Sequence, residues 1–373
     1  MSNKQLVLIG GGHAHLVMLA NLHVFVEKGI QVTVIQPSTH HYYSGMGAGM
    51  LGGTYTADEI RFHTKHVVER QGGRFVLDKA RKIDTINRTV LLEDSERGIS
   101  YDVLSCNAGS SVPEESLSIS GTDIFTVKPI EGLLRAQQRI LELSKERPVH
   151  VGIVGGGPSA VEVAGNLCQL GSRQTAHAPV IKIVAGRSIL PHAPKRVRHL
   201  AEKSLTRRGV EILMNRRVQE ISPGSLQLSD GESLKADIVF LAVGVKPSPI
   251  FARSGLPIGP EGGLRVNEFL QCNEHADIFG GGDCIYFEPQ PLDKVGVYAV
   301  RQNPVLYHNV MAKLEGRSLK PFTPGGKYLL IYNLGDDSGI FSKWSLVFDG
   351  RRAFRIKDYI DRKFMNKFQV LER

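Results

Sequence analysis

The feature that most constrains this sequence is the stretch at residues 6–22, LVLIGGGHAHLVMLANL. An apolar run leads into three glycines, and apolar residues in helical spacing follow. This pattern predicts a strand, a glycine turn and a helix. In a dinucleotide-binding unit, Gly10 would allow the tight turn and Gly12 would let backbone N–H groups approach a pyrophosphate at the helix N-terminus.

Two positions depart from the usual dinucleotide-binding pattern, one within this stretch and one at the end of the next strand. His15 stands where a third glycine normally lets helix and strand pack closely, and the next strand ends in Gln36 rather than in Asp or Glu. Gln36 can still hydrogen-bond a ribose hydroxyl. A degenerate glycine motif is also compatible with an ordinary turn, so the assignment depends on the rest of the chain.

A second strand, glycine turn and helix begin near residue 149. The apolar run at residues 149–154 leads into Gly155, Gly157 and Ala160, which fit the pattern G-x-G-x-x-A, and residues 180–184 supply a following strand. Two such units in one chain form an internal repeat. The sequence therefore predicts an α/β fold with two Rossmann-like dinucleotide-binding domains.

Length and charge limit the classes of partner. The chain has 373 residues, which is enough for two domains and a C-terminal extension. Its 46 basic and 37 acidic residues give a net charge of +9, which favours anionic lipid or phosphate-bearing cofactors as partners. No nucleic-acid motif is present, so we expect no nucleic-acid partner.

Cysteine and histidine spacing argue against disulfide and metal chemistry. Cys106, Cys168, Cys272 and Cys284 form no C-x-x-C or C-x-x-x-x-C pair, which favours reduced thiols in a cytoplasmic protein. His63-x-x-His66 has no third ligand at a defined offset, so we predict no metal. The N-terminus enters a core strand at once and no apolar run reaches 18 residues, so we expect neither a signal peptide nor a membrane span.

Four motifs in order carry a family resemblance: GGGHAH, LSCNAGS, GGGPSAVEVAG and HADIFGGGDC. Over residues 5–315 the chain resembles the two-dinucleotide-domain flavoproteins of the pyridine nucleotide-disulfide oxidoreductase superfamily. The resemblance implies FAD in a domain built from residues 1–112 and 245–325. It implies NAD(P)H in an inserted domain at residues 113–244, and residues 326–373 form a C-terminal segment without a counterpart in the dinucleotide units.

The resemblance also implies the cofactor-binding positions. For FAD they are Gly10, Gly12, His13, Ala14, His15, Gln36, Ser44, Gly45, Ala108, Gly109, Gly282, Asp283, Tyr298 and Ala299. For NAD(P)H they are Gly155, Gly157, Pro158, Ser159, Arg187 and Gly244. Asp283 would hold the ribitol, with a solvated turn aspartate as the alternative. A helix starting near Tyr298 would point its N-terminus at the flavin pyrimidine, where its dipole stabilises negative charge.

Three residues are candidates for chemistry or specificity. The resemblance implies that Glu162, in the family's V-E-x-A-G sequence, lies where the nicotinamide meets the flavin, although a helix carboxylate paired with a base is the alternative. Lys128 could reach the flavin or form an interdomain salt bridge. Arg187 follows a strand that lacks a terminal carboxylate, so it could meet a 2′-phosphate or be a solvated loop arginine. The choice between NADH and NADPH stays open.

The loop after the second strand indicates which branch of the superfamily the chain resembles. It lacks the cysteine pair of the disulfide members, and THHYYSGMGAGM resembles the type II NADH dehydrogenases and sulfide:quinone reductases. The most similar pattern is the FAD module fused to selenide, water dikinase, which shares GGGHAH, YSGM, VKP at 127–129 and a YAVRQ-like run at 298–302. In type II NADH dehydrogenases a glutamine-containing run at this place lines the quinone site. Of the glutamines in that run, this sequence keeps only the last one, Gln302.

These observations predict an FAD-dependent oxidoreductase that takes hydride from NAD(P)H and passes electrons to a small acceptor, with a quinone as first choice and without a redox disulfide. Two alternatives stay open. One is a flavin-binding partner module acting with selenide, water dikinase, and the other is a reductase of sulfur or selenium compounds.

Two local predictions complete the analysis. The glycine- and tyrosine-rich stretch from residue 37 to about 55 is expected to be a loop without a helix. Residues 350–373 are expected to form a basic amphipathic helix whose apolar stripe contains Phe354 or Ala353, Ile356, Ile360, Phe364 and Phe368. That stripe would lie on an anionic membrane at the inner face of the cell membrane, or cover the flavin domain or a second subunit of a homodimer.

Overall fold

The structure is a computed structural model that describes residues 4–95, 98–113 and 118–372. A five-stranded parallel sheet organises the first unit. Its strands are, in spatial order, Ile278–Gly280, Val103–Cys106, Gln5–Ile9, Gln31–Gln36 and Arg74–Leu77. Leu6, Val7 and Leu8 of the central strand are all buried, as expected for a parallel sheet that is covered on both faces.

Helices and a small antiparallel sheet surround this first sheet. The helices are Leu16–Ala20, Leu22–Glu27, Thr64–Arg70, Ile250–Arg253 and Gly296–Glu315. The strands Ala80–Asp84, Thr89–Leu92 and Ile99–Ser100 form an antiparallel excursion. Two short strand pairs, His41–Tyr42 with Arg61–Phe62 and Leu264–Val266 with Ile285–Phe287, complete the unit.

The second unit repeats the order of four strands of the first, with an edge strand that precedes these four in the chain instead of following them. Its parallel strands are Ile124–Thr126, Ile238–Leu241, His150–Val154, Val180–Val184 and Glu211–Leu213. Its helices are Glu131–Leu143, Pro158–Arg173 and Lys195–Thr206. A four-stranded sheet of Ser118–Ile119, Val218–Ser222, Ser225–Leu228 and Ser233–Lys235 lies beside it. The predicted fold class, with two Rossmann-like units, is confirmed.

The two units are joined where the chain leaves and re-enters the first one. Ser110–Ser111 pairs with Lys246–Pro247 in a short antiparallel ladder. In both sheets the central strand leads directly into the glycine turn. The carboxyl ends of the strands, where open α/β sheets bind ligands, therefore carry the predicted site residues.

The C-terminal segment is a sheet followed by a helix. The strands Leu330–Gly335, Ser338–Lys343 and Leu346–Gly350 form an antiparallel sheet, and the C-terminal helix is Arg351–Gln369. Gly165 of the Pro158–Arg173 helix lies so close to Leu334 that no side chain would fit between their backbones. Among the described residues, no helix combines the length and the apolar character needed to cross a bilayer.

The prediction of a helix-free loop after residue 37 is wrong. A short helix, Gly47–Leu51, follows the 3₁₀ turn Ser44–Met46. Its glycines are close to other elements: a Cβ atom on Gly47 would lie 3.1 Å from Ile130, and one on Gly49 would lie 2.6 Å from the Tyr55 ring. Tertiary packing therefore overrides the low helix propensity of glycine.

The predicted apolar stripe of the C-terminal helix is partly wrong. Ile356 and Ile360 are exposed, with 36% and 43% of their surface accessible. The residues that face the protein are Ala353, Phe354, Lys357, Asp361, Met365 and Phe368. Two charged residues can occupy this face because Lys357 and Asp361 form a buried ion pair of 2.5 Å.

Candidate functional site

The first glycine turn needs glycine for steric reasons. Gly10 has a φ of +83°, and a Cβ atom there would overlap the Asn107 carbonyl oxygen. At Gly12 the same atom would lie 3.0 Å from the side-chain nitrogen of Asn107. The turn is thus pressed against the loop that follows the neighbouring strand.

His15 explains how the motif works without its third glycine. Its Nδ1 lies 2.6 Å from the Gly10 carbonyl oxygen and its Nε2 lies 2.9 Å from the Ser105 hydroxyl. Burial lowers the pKa of His15 to about 4, although the bond to Gly10 opposes that shift. The imidazole is therefore neutral at pH 7 and ties the turn to the strand Val103–Cys106. Ala14 beside it is buried.

Gln36 is engaged with the protein backbone. Its Oε1 accepts a hydrogen bond of 2.9 Å from Gly11, and its Nε2 donates to the carbonyls of Ser38 and His40 at 2.6 and 2.8 Å. Gln36 thus holds the loop after the second strand against the glycine turn. Its predicted contact with a ribose stays a prediction.

Asp283 lies in a polar cluster at the end of the strand Ile278–Gly280, beside Gly282. Lys128 Nζ is 2.5 Å and Ser110 Oγ 2.9 Å from Asp283 Oδ2. Burial acts to raise the pKa of Asp283, but the Lys128 charge and both hydrogen bonds outweigh it and hold the pKa below its ordinary value. The salt bridge that was one alternative for Lys128 is present in this structure.

The buried His13 and the half-buried His41 lie beside this cluster. His41 Nε2 is 3.2 Å from His13 Nδ1, and the His13 ring lies 5.2 Å from the Tyr43 ring and 5.8 Å from the Phe364 ring, measured between centroids. Burial lowers the pKa of His13 to about 4, helped by the Lys128 charge. His41 was missed from the sequence, where THHYY gives no spacing signal.

The residues at the first turn fit a flavin nucleotide. His13 Nε2 and the Asn107 side-chain nitrogen are buried without a hydrogen-bond partner in the described structure, and a Cβ atom on Gly282 would lie 2.9 Å from Asn107 Oδ1. Buried polar atoms normally have partners. Two unpartnered atoms beside a phosphate-type glycine turn are therefore suited to a polar ligand such as FAD.

The helix Gly296–Glu315 closes the other side of this site. It begins two residues before Tyr298, so Tyr298 and Ala299 lie in its first turn. Gln302 Oε1 accepts a hydrogen bond of 2.7 Å from the Gly282 amide. The helix N-terminus is thereby held next to Asp283, where its dipole favours negative charge.

The remaining predicted FAD residues lie in two loops. Ala108 and Gly109 follow the strand Val103–Cys106, and the Gly109 carbonyl accepts a 3.3 Å hydrogen bond from the Ser248 amide. Ser44 and Gly45 belong to a 3₁₀ turn, and the Gly45 carbonyl accepts a 2.6 Å hydrogen bond from Lys357 of the C-terminal helix.

The second glycine turn is open. Gly155 to Gly157 are half-buried, while Pro158 and Ser159 at the start of a 16-residue helix are exposed. A Cβ atom on Gly157 would meet nothing within 4 Å. Backbone N–H groups at this helix N-terminus are thus accessible to a pyrophosphate. Gly244, with a φ of +92°, is exposed at the end of the adjacent strand.

Glu162 and the C-terminal segment form a partly buried polar network. Glu162 Oε1 accepts a 2.8 Å hydrogen bond from the Asn333 amide. Burial raises the pKa of Glu162, against the opposing effects of the Lys357 charge and that hydrogen bond. Asp361 Oδ1 accepts a 2.9 Å hydrogen bond from the Tyr43 hydroxyl. The network connects the second unit, the first unit and the C-terminal helix.

The cysteines are free thiols, although Cys284 lies beside Cys106 and donates a 3.5 Å hydrogen bond to its carbonyl oxygen. Cys106, Cys272 and Cys284 are buried and Cys168 is partly buried, and the described cysteines form no disulfide. Burial raises the pKa of all four thiols. His63 Nδ1 accepts a hydrogen bond from the His66 amide, and the described residues contain no cluster of three metal-ligating side chains.

The family model for the pyridine nucleotide-disulphide oxidoreductases matches residues 4–311. The chain belongs to this family. It is an FAD- and NAD(P)H-dependent oxidoreductase, which confirms the predicted enzyme class and cofactors.

Known proteins resemble between about three quarters and almost all of the chain. The demethylphylloquinone reductase NdbB of Synechocystis is 28% identical over 73% of this chain and 69% of that protein. The structure of NDH2 from Plasmodium falciparum in complex with NADH covers 99% of this chain and 98% of its own, with a TM-score of 0.81 and 13% identity. The structure of the sulfide:quinone oxidoreductase of Aquifex aeolicus covers 99% of this chain and 92% of its own, with a TM-score of 0.78 and 18% identity.

Proposed function

We propose that this protein is an NAD(P)H:quinone oxidoreductase in which FAD is bound by the first unit, within residues 1–112 and 245–325, and NAD(P)H by residues 113–244. The observation that carries the proposal is the aromatic and polar surface where the C-terminal helix meets the first unit. The Phe364 ring lies 4.8 Å from the Tyr43 ring there, close to His13. The name of NdbB, a demethylphylloquinone reductase, supports a quinone acceptor.

The chain's own residues would bind and orient the two cofactors and hold a proton for the reaction. FAD, when bound, accepts a hydride and passes electrons on. Asp283, with Lys128 and Ser110 beside it, would hold the polar chain of the flavin nucleotide, and the open turn at Gly157 would hold the nicotinamide nucleotide. Glu162 has a raised pKa, so it is suited to hold a proton close to where reduction of a quinone consumes one.

Steady-state assays with a panel of acceptors test this proposal. FAD-loaded protein is supplied with NADH or NADPH and with a short-chain ubiquinone, polysulfide or selenite under anaerobic conditions. We expect the quinone to support the fastest turnover. Faster turnover with polysulfide or selenite would favour the alternative of a sulfur- or selenium-compound reductase.

We also propose that the exposed side of the C-terminal segment binds an anionic membrane at the cytoplasmic face. Ile356, Tyr359 and Ile360 are exposed on the C-terminal helix, and Trp344 and Leu346 are 70% and 57% exposed in the preceding hairpin. Basic side chains surround them: Arg352, Arg355, Lys363 and Lys367. Apolar side chains flanked by cations are typical of interfacial helices, and lipid-soluble quinones would be available there.

Vesicle flotation tests membrane binding without removing the helix, which is part of the site. We expect wild-type protein to float with anionic vesicles at low salt, and Ile360→Asp to reduce the floating fraction about tenfold. Ile86→Asp is a matched control, since Ile86 is 92% exposed in the antiparallel excursion of the first unit. Equal flotation of all three proteins would contradict binding through this surface, and absence of flotation in the wild-type protein would contradict membrane binding. A dimer that Ile360→Asp dissociates would assign this surface to a homodimer.

A second candidate function follows from where the shared motifs lie. GGGHAH, YSGM, VKP and the YAVRQ-like run resemble the FAD module fused to selenide, water dikinase, and this resemblance supports the second candidate. His13, Tyr43, Lys128 and Gln302 from these motifs surround the same site. A partner module would bind that kinase and show little turnover. Sedimentation of this protein together with selenide, water dikinase tests for the complex. Combined with the acceptor assays, it distinguishes the two functions.

A further inference from the structure

The loop that follows the second strand of the NAD(P)H-binding unit has no acidic residue. Between residues 185 and 201 the sequence AGRSILPHAPKRVRHLA contains Arg187, Lys195, Arg196 and Arg198 but neither Asp nor Glu. In dinucleotide-binding units an acid at this place binds the ribose 2′-hydroxyl and repels a 2′-phosphate. The position is occupied here by Ala185 and Gly186, so that repulsion is absent.

The loop is fixed against the glycine turn. The Leu190 amide donates a 2.6 Å hydrogen bond to the Gly156 carbonyl, and a Cβ atom on Gly156 would lie 2.6 Å from the Ser188 carbonyl oxygen. On the other side, the Arg216 amide donates to the Ala185 carbonyl at 3.2 Å. These contacts place the backbone of Arg187 directly beside the phosphate-binding turn.

The Arg187 guanidinium is available to a ligand. Arg187 is exposed, and its side chain has no hydrogen bond or ion pair within the described part of the chain. Arg216 at the end of the next strand differs, because it forms ion pairs with Asp230 and Glu232. An unpaired guanidinium can bind a phosphate through two parallel charge-assisted hydrogen bonds.

From these contacts we infer that the second unit prefers NADPH to NADH, and that Arg187 recognises the 2′-phosphate. The inference deepens the proposed function and rests on it, since it concerns the nucleotide that supplies the hydride. A general positive field would strengthen the binding of both nucleotides, because both carry a pyrophosphate. A direct contact with the 2′-phosphate changes the ratio of the two affinities.

Titration of FAD-loaded protein with 2′,5′-ADP and 5′-AMP measures that ratio directly. We expect wild-type protein to bind 2′,5′-ADP at least about tenfold more tightly than 5′-AMP. Arg187→Ala should remove most of this preference and leave the affinity for 5′-AMP within about twofold, and Arg187→Lys should keep part of it, since lysine provides a point charge without the bidentate geometry. Arg81→Ala is a matched control that removes a positive charge from an exposed strand of the first unit.

The outcomes separate this inference from the proposed function. Equal affinity of wild-type protein for the two probes, binding of neither probe, or equal weakening of both by Arg187→Ala would overturn the role of Arg187. The probes carry no nicotinamide, so their binding does not depend on turnover. A clear preference for 2′,5′-ADP in a protein that oxidises neither NADH nor NADPH would support the nucleotide site and contradict the proposed reaction.

Discussion

The two glycine turns occupy the same place in a shared order of four parallel strands but differ in accessibility. In the first, His13, Ala14 and His15 are buried, and His15 binds both the turn and the adjacent strand. In the second, the corresponding Pro158 and Ser159 are exposed. A ligand at the first turn is enclosed by several segments of the chain, whereas one at the second turn can reach solvent directly.

This difference matches the two roles that the family's reaction requires. A flavin has to stay with the protein through many cycles, while a nicotinamide nucleotide has to leave after each hydride transfer. Enclosure slows dissociation, because segments must move before the ligand can leave. The glycine motif therefore fixes where each phosphate group is held, and the surrounding segments decide how long the ligand stays.

The largest expected effect is on flavin retention in the first unit. Asp283→Ala removes the carboxylate that Lys128 and Ser110 hold in place, and it leaves Lys128 without its partner. We expect the dissociation constant for FAD to rise about 100-fold, measured by flavin fluorescence on titration of the apoprotein. Asp349→Ala, at an exposed aspartate of the C-terminal sheet, should leave flavin affinity unchanged. Full flavin content in Asp283→Ala would show that the carboxylate does not hold FAD.

The second prediction concerns the open turn. Gly157→Ala places a methyl group where no protein atom lies within 4 Å, so the fold tolerates it, but the methyl group occupies space that a pyrophosphate needs. We expect the KM for the nicotinamide nucleotide to rise about 30-fold. The amount of bound FAD and the melting temperature should stay unchanged. Gly326→Ala, also in open space, serves as control. An unchanged KM would move the nucleotide away from this turn.

The third prediction concerns the network between the two units. Glu162→Gln preserves shape and the bond from the Asn333 amide but removes the carboxylate. We expect turnover with a quinone to fall about tenfold while FAD stays bound, as measured by stopped-flow mixing. Glu146→Gln, at an exposed site, is the control. If both variants turn over at the wild-type rate, Glu162 is a structural carboxylate.

The smallest effect is the pH dependence that His15 gives to stability. Its pKa is about 4 in the folded chain against an ordinary 6.5, so the unfolded chain binds more protons between those values. The contribution of His15 to the free energy of unfolding is complete above pH 6.5 and is lost as the pH falls. Between pH 7 and pH 5.5 this loss is about 1 kcal/mol. Urea unfolding of wild-type protein and His15→Asn should show a flatter pH profile for the variant. Parallel profiles would contradict this.

Residue spacing predicted the elements that repeat and missed those that depend on distant contacts. The glycine turns and the parallel sheets follow from local patterns, so the fold class could be read from the sequence. The bond from Asn333 to Glu162 and the packing of Phe364 beside His13 join segments that lie far apart in the chain. A local signal was the i, i+4 charge pair Lys357 and Asp361, which lies beside the stripe that was expected to face the protein.

The central claim is that one chain retains a flavin at the enclosed turn and exchanges a nicotinamide nucleotide at the open one. Its most direct test is anaerobic mixing of FAD-loaded protein with one equivalent of NADH or NADPH, followed by desalting and addition of a short-chain ubiquinone. The account predicts that the visible flavin band bleaches, that the flavin stays with the protein while the nucleotide separates, and that the quinone restores the band. A band that neither nucleotide bleaches, or a flavin that elutes with the nucleotide, would contradict it.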